Sequence, residues 1–244
     1  MVPEHGRDHL EFSEITLDRP TIGVVTTVGT YEHFLTEWCT SVRGLERQPD
    51  KVVIAAHRPD KVKAITDKEL PQATIVSVTE EFSLGHYLNQ AIAACGTDWI
   101  TWIGADDRYW PQALNGLDIV DADVYIYGMR IGIGGQWHGG NLEEALSYNP
   151  APCGSPFRRW IWESIPFQTD LAPFEDWAFW VGAHLLGATA KRTSRIDFDY
   201  RIHPGQIVPP LEPTATRIKE WAARVKDGKT ATNFGNLDPD MEQV

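Results

Sequence analysis

Asp106 and Asp107 stand side by side directly after the apolar run of residues 98–103, where a buried strand is expected to end. Two adjacent carboxylates cannot both be buried without a counter-charge, and the hard oxygen donors they offer suit Mg2+ or Mn2+ shared with a substrate phosphate. The same pair also suits a solvated turn ahead of a helix opened by Pro111, so the residues alone leave two readings open. His203 follows the apolar stretch 196–202 and precedes the turn Pro204-Gly205. An imidazole there can bind a metal, donate to a phosphate, or simply pack. Arg158, Arg159 and Arg201 carry forked guanidinium groups that pair bidentately with diphosphate or carboxylate oxygens, or that sit as surface charge. Asp176 falls in the first turn of an expected helix, a place that favours a carboxylate through the macrodipole alone and also suits a proton acceptor.

The elements that must position these groups alternate. Residues 21–28, 51–56, 74–78 and 98–103 read as buried strands, and residues 31–44, 60–67 and 84–95 as helices between them. Such alternation implies an α/β sheet that is mostly parallel, in which ligands bind beyond the carboxyl ends of the strands. The second half is less regular. It reads as a strand over 123–130, a glycine-rich turn or hairpin over 132–140, a loop over 150–154, helices over 159–164 and 175–187, and strands over 189–192 and 196–202. A proline-rich link over 204–213 then precedes an amphipathic helix over 214–225 and a polar tail. The expected division is an N-terminal arm over 1–19, one domain over 20–204, and a C-terminal linker, helix and tail over 205–244.

The chain has 244 residues, enough for one sizeable core, with 42% hydrophobic and 23% charged residues. Its formal net charge is −12, which argues against a nucleic-acid partner without ruling out a hydroxylated nucleobase as a substrate. The charged opening is neither a signal peptide nor an anchor, and no apolar run reaches the ~20 residues that cross a bilayer. Cys39, Cys95 and Cys153 are too few and too scattered for a disulfide framework and read as reduced thiols of a cytoplasmic protein. The run Gly132 to Gly135 lacks the following lysine of a phosphate loop, and Cys153-Gly154-Ser155 lacks the setting of a nucleophile elbow. Of the tryptophans gathered between Trp99 and Trp180, most are expected in the core; Trp110 and Trp177 are the two best placed to stack on a sugar.

The stretch Phe82-Ser83-Leu84-Gly85-His86-Tyr87-Leu88-Asn89-Gln90-Ala91, followed by Ile100-Thr101-Trp102-Ile103-Gly104-Ala105-Asp106-Asp107 and by Pro111 to Leu114, resembles the central block of the family 2 inverting glycosyltransferases with a GT-A fold. Phe157-Arg158-Arg159 followed by Pro173-Phe174-Glu175-Asp176-Trp177 is similar to the acceptor-side block of that family, and Tyr200-Arg201-Ile202-His203 to its late Tyr-Arg-x-His segment. The resemblance covers residues 21–205. It implies a GT-A-like, Rossmann-type α/β domain that moves a sugar from a nucleotide-diphosphate donor to an acceptor hydroxyl with inversion. It further implies Mn2+ or Mg2+ held by Asp106, Asp107 and His203, and donor contacts from Thr26, Thr27, His57, Gly85, Asn89 and Arg201. Trp177, Arg158 and Arg159 would meet the acceptor. Asp176 would be the catalytic base, with Glu175 its supporting neighbour.

Two positions depart from the family pattern. Gly104 stands where the first aspartate of the Asp-x-Asp motif is expected, and the second strand ends Ala56-His57 where an aspartate usually reads the base. His57 or a main-chain group would then read the base, or the donor is not a uridine nucleotide. A sugar nucleotidyltransferase is disfavoured because Thr26-Thr27-Val28-Gly29-Thr30 lacks the basic residues of its loop. A catalytically inactive glycan-binding or scaffold protein of the same fold is the alternative. The acceptor, whether saccharide, protein, small molecule or modified nucleobase, is not written in the sequence, and neither is the oligomeric state.

Overall fold

The structure is a computed structural model that describes residues 19–78, 83–171, 174–204, 206 and 211–226. Residues 1–18 of the expected arm and the tail beyond 226 lie outside the described residues, as do Phe82, Pro173 and half of the proline-rich link, 205 and 207–210. The first half runs β1 (Ile22–Val28), α1 (Leu35–Arg43), β2 (Lys51–Ala56), α2 (Pro59–Glu69), β3 (Thr74–Ser77), α3 (Leu84–Cys95) and β4 (Trp99–Trp102). These four strands pair in parallel in the order β3-β2-β1-β4, as alternation predicts. All seven residues of β1 are buried, so its side chains must serve two cores in turn. Ile22, Val24 and Val28 face Leu35, Trp38 and Val42 of α1 and Val62 of α2. Val25 faces the other way, with Val53 and Ala55 of β2, onto Tyr87, Leu88, Ala91 and Ile92 of α3.

Beyond β4 the chain forms β5 (Arg108–Tyr109), β6 (Val124–Ile131), β7 (Gly135–Trp137), β8 (Phe157–Arg158), α4 (Arg159–Ser164), α5 (Glu175–Leu185), β9 (Ala190–Tyr200) and α6 (Leu211–Lys226). The full sheet path is β3-β2-β1-β4-β8-β6-β9-β5, with β7 paired to β6 as a hairpin. The parallel half thus continues into a mixed half: β8 is antiparallel to both β4 and β6, β9 is parallel to β6, and β5 is antiparallel to β9.

Three local expectations change. The strands expected over 189–192 and 196–202 are one strand, β9, whose pairing with β6 shifts register around Gly128. The irregularity is held by the buried Asp197 carboxylate, which accepts from Gly128 N at 3.1 Å, Thr193 Oγ1 at 2.7 Å and Arg195 Nε at 2.7 Å. The helix expected from Pro111 is a series of turns, with hydrogen bonds three residues apart such as Ala113 N to Trp110 O, broken at Gly116 where φ is +91°. Helix α6 begins at Leu211 instead of 214, and Ile218, Trp221 and Ala222 pack it against Trp177, Ala178 and Val181 of α5. Because the opposite side of α5 carries Phe179, Trp180 and Ala183 into the α3 core, this helix is apolar almost all round. All three cysteines are free thiols.

Candidate active site

Strand β4 delivers the chain to the carboxyl edge of the parallel sheet, where Thr26 Oγ1 of β1 donates to Ile103 O at 2.8 Å and fixes the exit. The chain then turns, with Asp107 N donating to Gly104 O at 3.0 Å. A Cβ placed on Gly104 would stand 2.2 Å from Asp106 Oδ1. Glycine therefore lets the Asp106 carboxylate fold back over the turn, and its other oxygen, Oδ2, meets His203 Nε2 at 2.9 Å. The opposite ring nitrogen, Nδ1, donates to Pro204 O at 3.0 Å. Asp106 raises the imidazole above its ordinary basicity, mainly through this hydrogen bond. The ring packs against both Tyr31 and Phe34, with centroids 5.3 Å and 4.9 Å away.

Asp107 is only 3% exposed. Its Oδ1 accepts from Arg201 N at 2.9 Å, yet burial first, and the Asp106 charge second, push its carboxyl well above the usual range. Two carboxylates in this position call for a cation. No group of three or more His, Cys, Asp or Glu side chains among the described residues encloses an ion by itself. The expected trio of Asp106, Asp107 and His203 is not gathered around one point: Asp106 and His203 meet each other instead, and a Mg2+ or Mn2+ would draw on the two carboxylates, with Nε2 available only once its hydrogen bond to Asp106 is given up. The Arg201 side chain lies over the Phe34 ring at 4.8 Å and donates from Nη1 to Glu37 Oε2 at 2.9 Å, while its Nε and Nη2 have no hydrogen-bond partner among the described residues.

Asp176 enters from the other half of the chain, in the first turn of α5. Its Oδ1 accepts from Trp177 N at 2.8 Å and its Oδ2 from Asn149 Nδ2 at 3.0 Å. Burial raises its carboxyl, against the pull of those two donors. Burial raises the Cys153 thiol and the Tyr200 phenol, and the charges of Asp106, Asp107 and Asp176 raise each of them further. Glu175 precedes Asp176 in the same first turn of α5. It is 1% exposed, its carboxylate oxygens have no hydrogen-bond partner among the described residues, and burial, assisted by the Asp176 charge, lifts its pKa to about 7.

Other expected site residues fall in three places. Thr27, 8% exposed near the end of β1, and His57, exposed directly after β2, lie at the same carboxyl edge as Asp106; His57 N donates to Val28 O at 3.2 Å. Gly85, Asn89 and Trp177 serve packing. A Cβ on Gly85 would stand 2.4 Å from Gln168 O, Asn89 accepts from Trp162 Nε1 and Phe167 N and donates to Phe167 O, and the buried Trp177 donates to Ala145 O at 2.7 Å. Arg158 and Arg159 are at the opposite end of the sheet. Arg158 pairs with Trp99 at the start of β4 and lies over its ring at 4.2 Å, and Arg159 N donates to Asp98 O. The structure does not bring these two arginines to Asp106 or Asp176, because β8 runs antiparallel to β4 and starts α4 at the amino edge.

Sequence reasoning passed over Asn149, Glu37 and Asp199. Asp199 accepts from Trp110 Nε1 at 2.7 Å and from Arg108 and Arg130, and Glu37 accepts from Arg108 and Arg201. These links join residues far apart in the chain, and no local spacing announces them.

The sheet order, the strand-end carboxylates and the flanking helices define a GT-A-like α/β fold, the architecture of glycosyltransferase structures. No family description matches the sequence, and neither does any curated protein. Solved structures match by shape. TarS 1–349 of S. aureus in complex with UDP-GlcNAc aligns with a TM-score of 0.67 at 15% identity, over 84% of this chain and 66% of that one. A second structure of TarS 1–349 gives 0.61 at 15% identity, over 74% of this chain and 60% of that one. The mannosyltransferase PcManGT from Pyrobaculum calidifontis, in complex with GDP-Man and Mn2+, gives 0.61 at 15% identity, over 86% and 74%. The chain thus spans about two thirds or less of the length of these two TarS 1–349 structures. At this identity the likeness establishes the fold.

Proposed function

We propose that the protein is a metal-dependent, inverting glycosyltransferase that moves a sugar from a nucleotide diphosphate to an acceptor hydroxyl. The observation that carries this reading is the Asp106–His203 pair, 2.9 Å apart just past the carboxyl ends of β4 and β9, with Asp176 opening α5. The fold adds support, since it is shared with structures that hold UDP-GlcNAc, or GDP-Man with Mn2+.

In this reading residues 20–204 are the transferring unit, and Asp106, Asp107 and His203 hold Mn2+ or Mg2+ against the donor diphosphate. When bound, the ion stabilises the negative charge that develops on the leaving diphosphate. Arg201 adds a cationic group beside Asp107, and Thr27 and His57 line the edge that faces the nucleoside, whereas Thr26, fully buried with its hydroxyl given to Ile103 O, is not a donor contact. Asp176 accepts the proton of the attacking hydroxyl, whose oxygen bonds to the anomeric carbon from the face opposite the leaving group. Its raised carboxyl makes it a stronger base than an exposed aspartate. Glu175, Gly85, Asn89 and Trp177 hold the helices that carry these groups, and Arg158 and Arg159 take no part in acceptor binding.

Incubation with Mn2+ and a panel of UDP-, GDP- and dTDP-sugars tests the reading. Release of nucleoside diphosphate from at least one donor, abolished by a chelator, is expected. Absence of both turnover and metal-dependent nucleotide binding would contradict it, whereas tight binding without turnover would favour an inactive sugar-binding protein.

A further inference from the structure

Asn149 lies in the connection between β7 and β8, and nothing in the surrounding sequence marks it out. Its Nδ2 donates to Asp176 Oδ2 at 3.0 Å while Trp177 N donates to Oδ1 at 2.8 Å, so each carboxylate oxygen has its own donor. A main-chain donor and a side-chain donor together fix the plane of the carboxylate, which neither does alone. The other end of the amide is informative. Asn149 Oδ1 is buried and has no hydrogen-bond partner among the described residues. Buried amides usually satisfy both ends, so an asparagine kept for loop packing would be expected to bind its own backbone with that oxygen. Here the amide is oriented by Asp176: the flipped amide would set Oδ1 against a carboxylate, oxygen facing oxygen.

We propose that Asn149 is the positioning residue of Asp176, donating from Nδ2 to the carboxylate before transfer and, by a half-turn of its amide, accepting from the carboxylic acid afterwards. This rests on the reading of Asp176 as the base. In the step concerned, the acceptor O–H proton passes to Asp176 Oδ2, the acceptor oxygen bonds to the anomeric carbon, and the diphosphate leaves with the electron pair. The protonated Oδ2 then has a hydrogen to donate, and Oδ1, partnerless until then, can receive it without any movement of the loop. Among the described residues, the titratable groups raised by the Asp176 charge are Glu175 on its own helix, Cys153 in the loop before β8, and Tyr200 of β9.

The test is the titration of the Asp176 carboxyl carbon by NMR in the full chain labelled with 13C-aspartate, the signal being assigned by its loss in Asp176→Asn. Asn149→Leu keeps the volume and removes the donor, so the Asp176 midpoint should rise by about one pH unit. The acid limb of kcat/KM should move with it, with kcat falling about tenfold and donor KM unchanged. Asn149→Ala, which opens space in place of an apolar branch, carries the same test should the leucine variant not fold. A midpoint unmoved in the variant overturns the positioning role whatever the activity. A shifted midpoint in a protein whose parent transfers no sugar from any donor overturns the transferase reading, and with it the part played by the amide in proton transfer, through a different signal.

Discussion

Gly104 and the Asp106 carboxylate occupy one volume: any side chain at 104 would displace Asp106 Oδ1 and, through it, the contact with His203. The departure of Gly104 from the resembled pattern thus has a local physical reason, and in the proposed reading it leaves Asp106 as the leading metal ligand. Asp106→Asn should weaken the Mn2+-dependent part of UDP or GDP binding by at least about tenfold and leave the fold intact, as titration calorimetry with and without metal would show. Equal metal-dependent affinity in the variant would remove Asp106 from the site. At this scale the sequence was informative where chemistry and position coincide. Asp106, Asp107 and His203 are ionisable groups just past strand ends, and the fold pairs Asp106 with His203, while Asp176 opens α5. Arg158, Arg159 and Asn89 sit beside motifs too, but adjacency in sequence says nothing about which end of a strand a residue occupies or which core an amide must satisfy. Asn149 carried no signal because its partner lies 27 positions away.

The long elements were legible because hydrophobic pattern alone determines them: β1, β2, α3 and α5 begin and end within a few residues of where periodicity places them. The two-residue strands β5 and β8 were not, since a strand that short has no period and is defined by its partners, Asp199 and Trp99 among them. The docking of α6 was visible only as an amphipathic face without a destination. Trp221 is 2% exposed, and a Cβ on Gly182 of α5 would come within 3.2 Å of its ring. Trp221→Ala should therefore destabilise the protein by about 3 to 5 kcal/mol, read as a fall of several degrees or more in the thermal midpoint. A midpoint equal to that of the parent would mean that α6 contributes nothing to the hold on α5.

Over the whole molecule the net charge of −12 conceals carboxylates pulled in opposite directions. In Asp50 and Asp123 burial is outweighed by main-chain and side-chain donors, and Asp98 is held low chiefly by Thr21 N–H. These groups contribute stability that is lost as pH falls through their depressed values. Glu175 has the opposite sign. It is ionised in the unfolded chain above its ordinary value of 4.5 but stays protonated in the fold up to about 7, so the unfolded state binds fewer protons and stability declines between those values. Glu175→Gln should abolish that decline and raise stability at pH 8 by roughly 3 kcal/mol, measured by urea unfolding at pH 5 and pH 8. A variant as pH-dependent as the parent over that window would show that Glu175 is not the group responsible. Neutral Glu175 also leaves Asp176 as the single charge in the first turn of α5, where the proposed reading needs its base. The rate of sugar transfer by Asp176→Asn tests that arrangement most directly, because the amide keeps the shape and cannot take a proton. Turnover about 10²- to 10⁴-fold below the parent, with donor affinity unchanged, is the expected result. Transfer by the folded variant within about fivefold of the parent, the scale of a helix-terminus charge alone, would contradict it.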